Sequence, residues 1–208
     1  MATRYENVSA LTAATIDGLT DNMTSWRSFL KSAAWLYKYP WHEQVMIYAQ
    51  RPYARAVATM ELWNGRRLQR WINRGSKSIA LIDDTSDIPK LKYVFDVSDT
   101  HPLDRNAPPF ALWNVSEEQE AQVIEELTDH FGGIEEYEGL PFSDQVMGII
   151  HNAVTDNYLD YYRDLYDVTE GSFLEELDDF NLEVQLQRAL EVSVGYMVLT
   201  RLGYDAED

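Results

Sequence analysis

Cysteine is absent from the 208 residues, which removes disulfides, thiolate nucleophiles and Cys-based zinc sites together. Long apolar runs are missing as well. Residues 1–11 hold no stretch suited to a signal peptide, and the most apolar late segment, 189–199, is interrupted by Glu191 and too short to span a bilayer. A cytoplasmic location is therefore expected, and a net charge of −18 argues against binding an anionic membrane surface. Histidine is sparse: His42, His101, His130 and His151 are scattered without ligand spacing. His42-Glu43 invites comparison with a zinc-protease helix, but Met46 stands where the second imidazole must be. No Gly-rich phosphate loop, nucleophile elbow or paired-carboxylate motif occurs. The expectation is a non-enzymatic protein without a cofactor.

Basic residues are scarce only in the second half. Residues 1–105 carry 14 Lys and Arg against 11 Asp and Glu, a net of +3, whereas residues 106–208 carry 3 against 24, a net of −21. Such asymmetry points to two surfaces meeting different partners. The cations concentrate further between residues 51 and 77, where Arg51, Arg55, Arg66, Arg67, Arg70, Arg74 and Lys77 face a single acid, Glu61, with Tyr53, Trp63 and Trp71 interleaved. Cations that neutralise phosphates, alternating with flat rings that stack on bases, are what a single nucleic-acid strand requires.

Periodicity and capping residues predict an α+β front, residues 1–105, and an acidic helical rear, residues 106–208. Trp26, Phe29, Leu30, Ala33 and Tyr37 fall on one face of a helix over 23–38 that Thr24 can cap; a second helix fits 41–50, and a short turn carries 60–63. Residues 68–73 and 77–83 read as strands of a hairpin closed across Gly75–Ser76, with a third strand over 91–97 completing a small antiparallel sheet. Residues 98–115, with three prolines, read as a connector. In the rear, Ser116 with Gln119 starts a helix stopped by Gly132–Gly133, Ser143 opens a long helix to about 165, Ser172 with Glu175 forms another capping box, and Asn181 opens a last helix ending near Gly203. The closing Tyr204-Asp-Ala-Glu-Asp leaves open whether the chain is whole or heads a longer protein.

On such a hairpin Arg70, Arg74 and Lys77 would hold phosphates, Arg51, Arg66 and Arg67 would extend the track, and Trp63 and Trp71 would stack on bases. The alternative is that both indoles are core and the arginines a solvated face. In the rear, Asp156, Asp160 and Asp164 recur every fourth residue with Asp167 beyond them. They suit a solvated helix face, a site for a divalent cation, or a surface that imitates nucleic-acid phosphates for a protein partner.

The stretches Tyr39-Pro-Trp-His-Glu-Gln-Val-Met-Ile-Tyr-Ala-Gln-Arg-Pro, Glu61-Leu-Trp, Arg70-Trp-Ile-Asn-Arg-Gly-Ser-Lys-Ser-Ile-Ala-Leu and Tyr93-Val-Phe-Asp-Val-Ser-Asp-Thr together resemble the N-terminal domain of ArdC-type antirestriction proteins. Related segments open very large proteins of conjugative elements in Gram-positive gut bacteria. The recurrent core of that pattern falls on Trp63, Arg74, Gly75, Lys77 and Ile79, and the resemblance covers about residues 24–100. It implies sequence-independent binding of single-stranded DNA in conjugation or antirestriction. Two departures matter. Glu43 stands where the family often has Asn, and no counterpart of the family's zinc-protease domain is present, so peptidase activity is not carried over. The rival expectation is an acidic, DNA-mimicking inhibitor of a host defence nuclease, such as a restriction enzyme or a CRISPR effector, acting through Asp156, Asp160, Asp164 and Asp167 or around Glu117 to Glu138. The acidic half would equally serve to dock a conjugation protein.

Overall fold

The computed structural model describes residues 3–83, 89–107 and 109–204. By its contacts the chain divides into two compact units, Met1–Leu112 and Trp113–Asp208. Among the described residues there are seven α-helices and five short strands, all antiparallel, an α+β architecture as expected.

In the first unit a reciprocal cap starts α1 (Arg4–Leu19): the Glu6 amide donates to Thr3 Oγ1 at 3.2 Å and the Thr3 amide to Glu6 Oε2 at 2.6 Å. Sequence periodicity assigns nothing here, because threonines and alanines give the segment little amphipathic contrast. α2 (Met23–Trp35) is capped by Asn22 rather than Thr24; Asn22 Oδ1 accepts the Ser25 amide at 2.9 Å. It stops at Trp35, short of residue 38. α3 (Trp41–Gln50) begins after Pro40, whose fixed φ suits the entry. α4 (Met60–Asn64) is a single capped turn.

Three strands form one sheet in the order β1 (Val57–Ala58), β4 (Lys90–Asp96), β3 (Ile79–Asp83). α1 and α3 pack on β3, and Val8, Leu36, Met46, Ile47, Ala54, Ile79, Leu81 and Val94 make the core between them. Edge strand β3 leaves the backbone of Ala80 unpaired by any strand, and the Gln50 amide replaces the missing neighbour. Its Nε2 donates to the Ala80 carbonyl at 2.8 Å and its Oε1 accepts the Ala80 amide at 2.9 Å.

The hairpin expected across Gly75–Ser76 does not form. β2 (Arg70–Ile72) pairs instead with β5 (Thr100–Pro102), in the register Arg70↔Pro102, Trp71↔His101, Ile72↔Thr100, while β3 pairs with β4. Two bonds divert the chain: the Asn73 amide goes to the Asp99 carbonyl at 2.8 Å, and the Ser76 amide closes a turn on the Asn73 carbonyl at 3.1 Å, with Gly75 at φ +89°. Part of the supposed connector is therefore a strand. Pro102 is tolerated there because β5 has a partner on one side only.

The second unit is helical. α5 (Glu117–Phe131) starts on the expected Ser116–Gln119 box and ends at Gly132, φ +93°. α6 (Phe142–Tyr166) enters from Pro141 with no side-chain cap, so Ser143 plays no such part. Ser172 opens only a 3-10 turn, Phe173–Glu176, and α7 (Asp179–Leu202) is capped by Asp178 rather than Asn181. Phe142, Val146, Ile150, Val154 and Leu202 form its core.

Candidate nucleic-acid interface

Two buried carboxylates organise the basic region. Asp96 and Asp99 bracket a single 3-10 turn, Val97–Asp99, between β4 and β5. Asp96 Oδ1 accepts the amides of Arg55 (2.8 Å) and Ala56 (3.2 Å), and its Oδ2 accepts the amide (2.9 Å) and hydroxyl (2.6 Å) of Ser98. Asp99 pairs with the Arg51 guanidinium at 3.3 Å, and Arg51 also donates to the Lys77 carbonyl at 3.2 Å. With the Asn73 amide and the Ser76 hydroxyl on the Asp99 carbonyl (2.8 and 3.4 Å), one knuckle fixes both the 51–56 loop and the 73–77 loop. Charge-assisted bonds from backbone N–H groups to a carboxylate are the stronger kind and hold loops in one geometry.

What the basic segment displays separates into two classes. Arg66, Arg67, Arg74 and Lys77 are exposed, and no side-chain hydrogen bond or ion pair engages their charged ends among the described residues. Arg55 is likewise exposed. Arg51 and Arg70 are occupied internally. Arg51 is the ligand of Asp99, and Arg70 donates from Nε to Thr100 Oγ1 at 2.7 Å and lies 5.7 Å from the Phe110 ring centre. Both guanidiniums therefore serve the fold, unlike the free cations beside them.

The two indoles also part. Trp63 is 1% exposed; its Nε1 donates to the Phe95 carbonyl at 2.8 Å and its ring meets Phe110 edge-on at 5.8 Å. It belongs to the core and offers no face to a base, which overturns its expected stacking role. Trp71 is 51% exposed. Tyr53, seen in the sequence only as one of the interleaved rings, is 90% exposed on the loop that Asp96 holds.

Register explains why Trp71 stays open. On the two-stranded ribbon, alternate residues share a face, so Trp71, Asn73, His101 and Leu103 lie on one side and Arg70, Ile72 and Thr100 on the other. The Asn73 Oδ1 to His101 Nδ1 contact of 2.7 Å joins the first set. A cleft of about 350 Å³ runs there, lined by Trp71, His101, Pro102, Leu103 and Arg105. His101, Leu103 and Arg105 are not recognisable from sequence periodicity, since only the pairing of β2 with β5 brings them to Trp71.

Glu43, the departure from the ArdC-like pattern, is buried and accepts Lys92 Nζ at 2.6 Å. It ties α3 to β4 rather than facing solvent. The nearby Tyr39 hydroxyl donates to the Val57 carbonyl at 2.8 Å; burial, then the Glu43 charge, pushes its pKa up to about 12. Glu61, the one acid within 51–77, is held below the usual carboxylate range by its own backbone amide and the Thr59 hydroxyl.

In the second unit Asp156, Asp160 and Asp164 project from the outer face of α6, and Asp167 follows at its end; all four are exposed and none has a hydrogen-bond or ion-pair partner among the described residues. Tyr158 bonds to Glu183 and Tyr162 to the Asp179 carbonyl, so the tyrosines, not the aspartates, face α7. Among the described residues no group of three or more His, Asp or Glu is placed to hold a metal ion, and no helix is long and apolar enough to cross a membrane. Compared with known proteins, the chain matches no family model, no curated protein and no solved structure.

Proposed function

We propose that the first unit is a non-enzymatic, sequence-independent binder of single-stranded DNA, acting in the cytoplasm in conjugation or antirestriction, as the ArdC-like stretches imply. The observation that carries this is a set of unpaired, exposed cations in one segment with an open Trp71: Arg74 and Lys77 on the loop pinned through Asp99, and Arg66 and Arg67 on the turn that leads into β2. Pre-fixed loops lose little conformational freedom on binding, which favours affinity for a flexible strand. The acidic second unit repels duplex and single strands alike, so DNA is confined to the basic loops.

A labelled oligonucleotide titrated at several salt concentrations tests this. Affinity should fall steeply with salt, and Arg74→Ala with Lys77→Ala should flatten the log–log slope by about 1.4, since each phosphate contact on a single strand contributes about 0.7. An unchanged slope in the double variant removes these residues from the interface.

One observation favours a second reading, the unpaired carboxylates Asp156, Asp160, Asp164 and Asp167 along α6. A DNA-mimicking inhibitor of a defence nuclease would use them, and in that case the oligonucleotide would not bind while the nuclease would. A conjugation protein docking on the same face would leave DNA binding intact.

A further inference from the structure

Resting on the single-strand reading, we propose that the cleft across β2 and β5 holds one unstacked nucleobase: Trp71 provides the stacking face, Leu103 the apolar wall, and Arg105 a contact to the adjoining phosphate. The Trp71 side is open to solvent, as the exposure of Trp71, His101 and Leu103 shows, while Arg70 on Thr100 and Phe110 lie against the other face. That leaves an indole 51% exposed and a leucine 58% exposed on the same face, bordering a common cleft. Side by side, uncovered apolar surface of this kind in an otherwise charged segment marks a binding surface rather than a fold requirement.

The polar rim suits a base more than an aliphatic or fatty ligand. His101 has Nδ1 engaged by Asn73 at 2.7 Å, which orients the ring and leaves Nε2 for the edge of a base. Arg105 is exposed at the cleft. The neighbouring acid, Asp104, is engaged by the Asn106 amide at 2.9 Å. A planar ring on Trp71 with a hydrogen-bonding edge toward His101 and an anion toward Arg105 is the chemistry of a nucleotide. A base paired within a duplex cannot enter, so the cleft would supply the preference for single strands that phosphate contacts alone do not give.

The test compares the full chain and its Trp71→Ala variant on two fluorescent oligonucleotides of equal length, one all-thymidine and one with abasic sites throughout its centre. The wild-type chain should bind the thymidine strand about 10-fold tighter, the scale of one base–aromatic stack. Trp71→Ala should bind both with the weaker affinity, and Trp71→Phe should recover part of the difference. Equal wild-type affinity for the two strands, or discrimination that survives in Trp71→Ala, overturns the cleft while leaving single-strand binding in place. Failure of the wild-type chain to bind either strand overturns the single-strand reading itself, and the cleft with it.

Discussion

Replacing Asp96 by Asn changes one atom and tests whether the Asp96–Asp99 knuckle holds the first unit together. The carboxylate is 3% exposed and accepts four bonds, two on each oxygen. In the amide, Oδ1 keeps the Arg55 and Ala56 amides but as a neutral acceptor, and Nδ2 replaces the oxygen that served Ser98. The Ser98 hydroxyl can rotate to accept, whereas the Ser98 amide then faces another donor. Bonds to a charged acceptor contribute about 1.5–3 kcal/mol and neutral ones about 1 kcal/mol. One lost charged bond plus the weakening of two others gives about 3 kcal/mol, a large share of the roughly 5–15 kcal/mol typical of a domain. Urea unfolding followed by tryptophan fluorescence reads this unit almost alone, because Trp26, Trp35, Trp41, Trp63 and Trp71 lie in it and only Trp113 in the other. With a slope of about 1–3 kcal/mol/M, the midpoint should drop by about 1–3 M at an unchanged slope. A loss below about 0.5 kcal/mol would mean that the loops do not depend on this carboxylate.

Lys92→Met should cost about 1–3 kcal/mol in the same assay, because it strands the buried Glu43 carboxylate; adding Glu43→Gln should restore part of the loss, and an additive double variant would refute the pairing. The Tyr39 hydroxyl titrates at about 12 in the folded protein against about 10 in the unfolded chain. Its contribution is thus fully present below pH about 10 and is lost as pH rises toward 12, so Tyr39→Phe should lose less stability than the wild type across that window; equal losses would show that the hydroxyl is not involved. In the helical unit, a methyl group at Gly148 would approach the Tyr137 ring to 2.6 Å. Gly148→Ala should therefore lower the thermal midpoint read by circular dichroism, an overpacking cost of about 1–3 kcal/mol exceeding the helix-propensity gain of about 1 kcal/mol. A raised midpoint would show that Tyr137 swings clear.

Capping boxes and apolar periodicity made most helices legible, α3 and α5 to the residue, because those signals are local. The errors came where a distant group won. Within the expected strand 77–83, residues 79–83 did form β3, yet the partner of β2 lies some thirty residues on, and no two-residue turn signal reports that the Asn73 amide is claimed by Asp99. Likewise α1 is helical in spite of weak amphipathicity because it packs on α3 and β3, a tertiary contact that overrides propensity. Within the candidate site, charge marked a segment but could not sort its residues. Arg70 and Arg74 are alike in sequence, and Trp63 and Trp71 are alike; burial alone separates the arginine tied to Thr100 from the free one, and the indole under Phe110 from the open one.

That sorting bears on what the ArdC-like pattern reports. Among its residues, Gln50 mends the edge of β3, Arg51 binds Asp99, Trp63 donates to the Phe95 carbonyl, and Asp96 secures two loops. Each is satisfied inside the unit, so a chain retaining these residues would keep the scaffold whether or not it met DNA. Arg74 and Lys77, by contrast, make no internal contact through their charges, and nothing in the fold demands cations there. Their substitution should leave the unfolding free energy within about 0.5 kcal/mol of wild type while changing any dependence on phosphate. The scaffold variants should do the reverse: lower stability first, and binding only as the loops come loose. Charge at positions 74 and 77 is therefore the feature on which the functional proposal stands or falls, and the interior positions, satisfied within the fold, are the weaker guide to function.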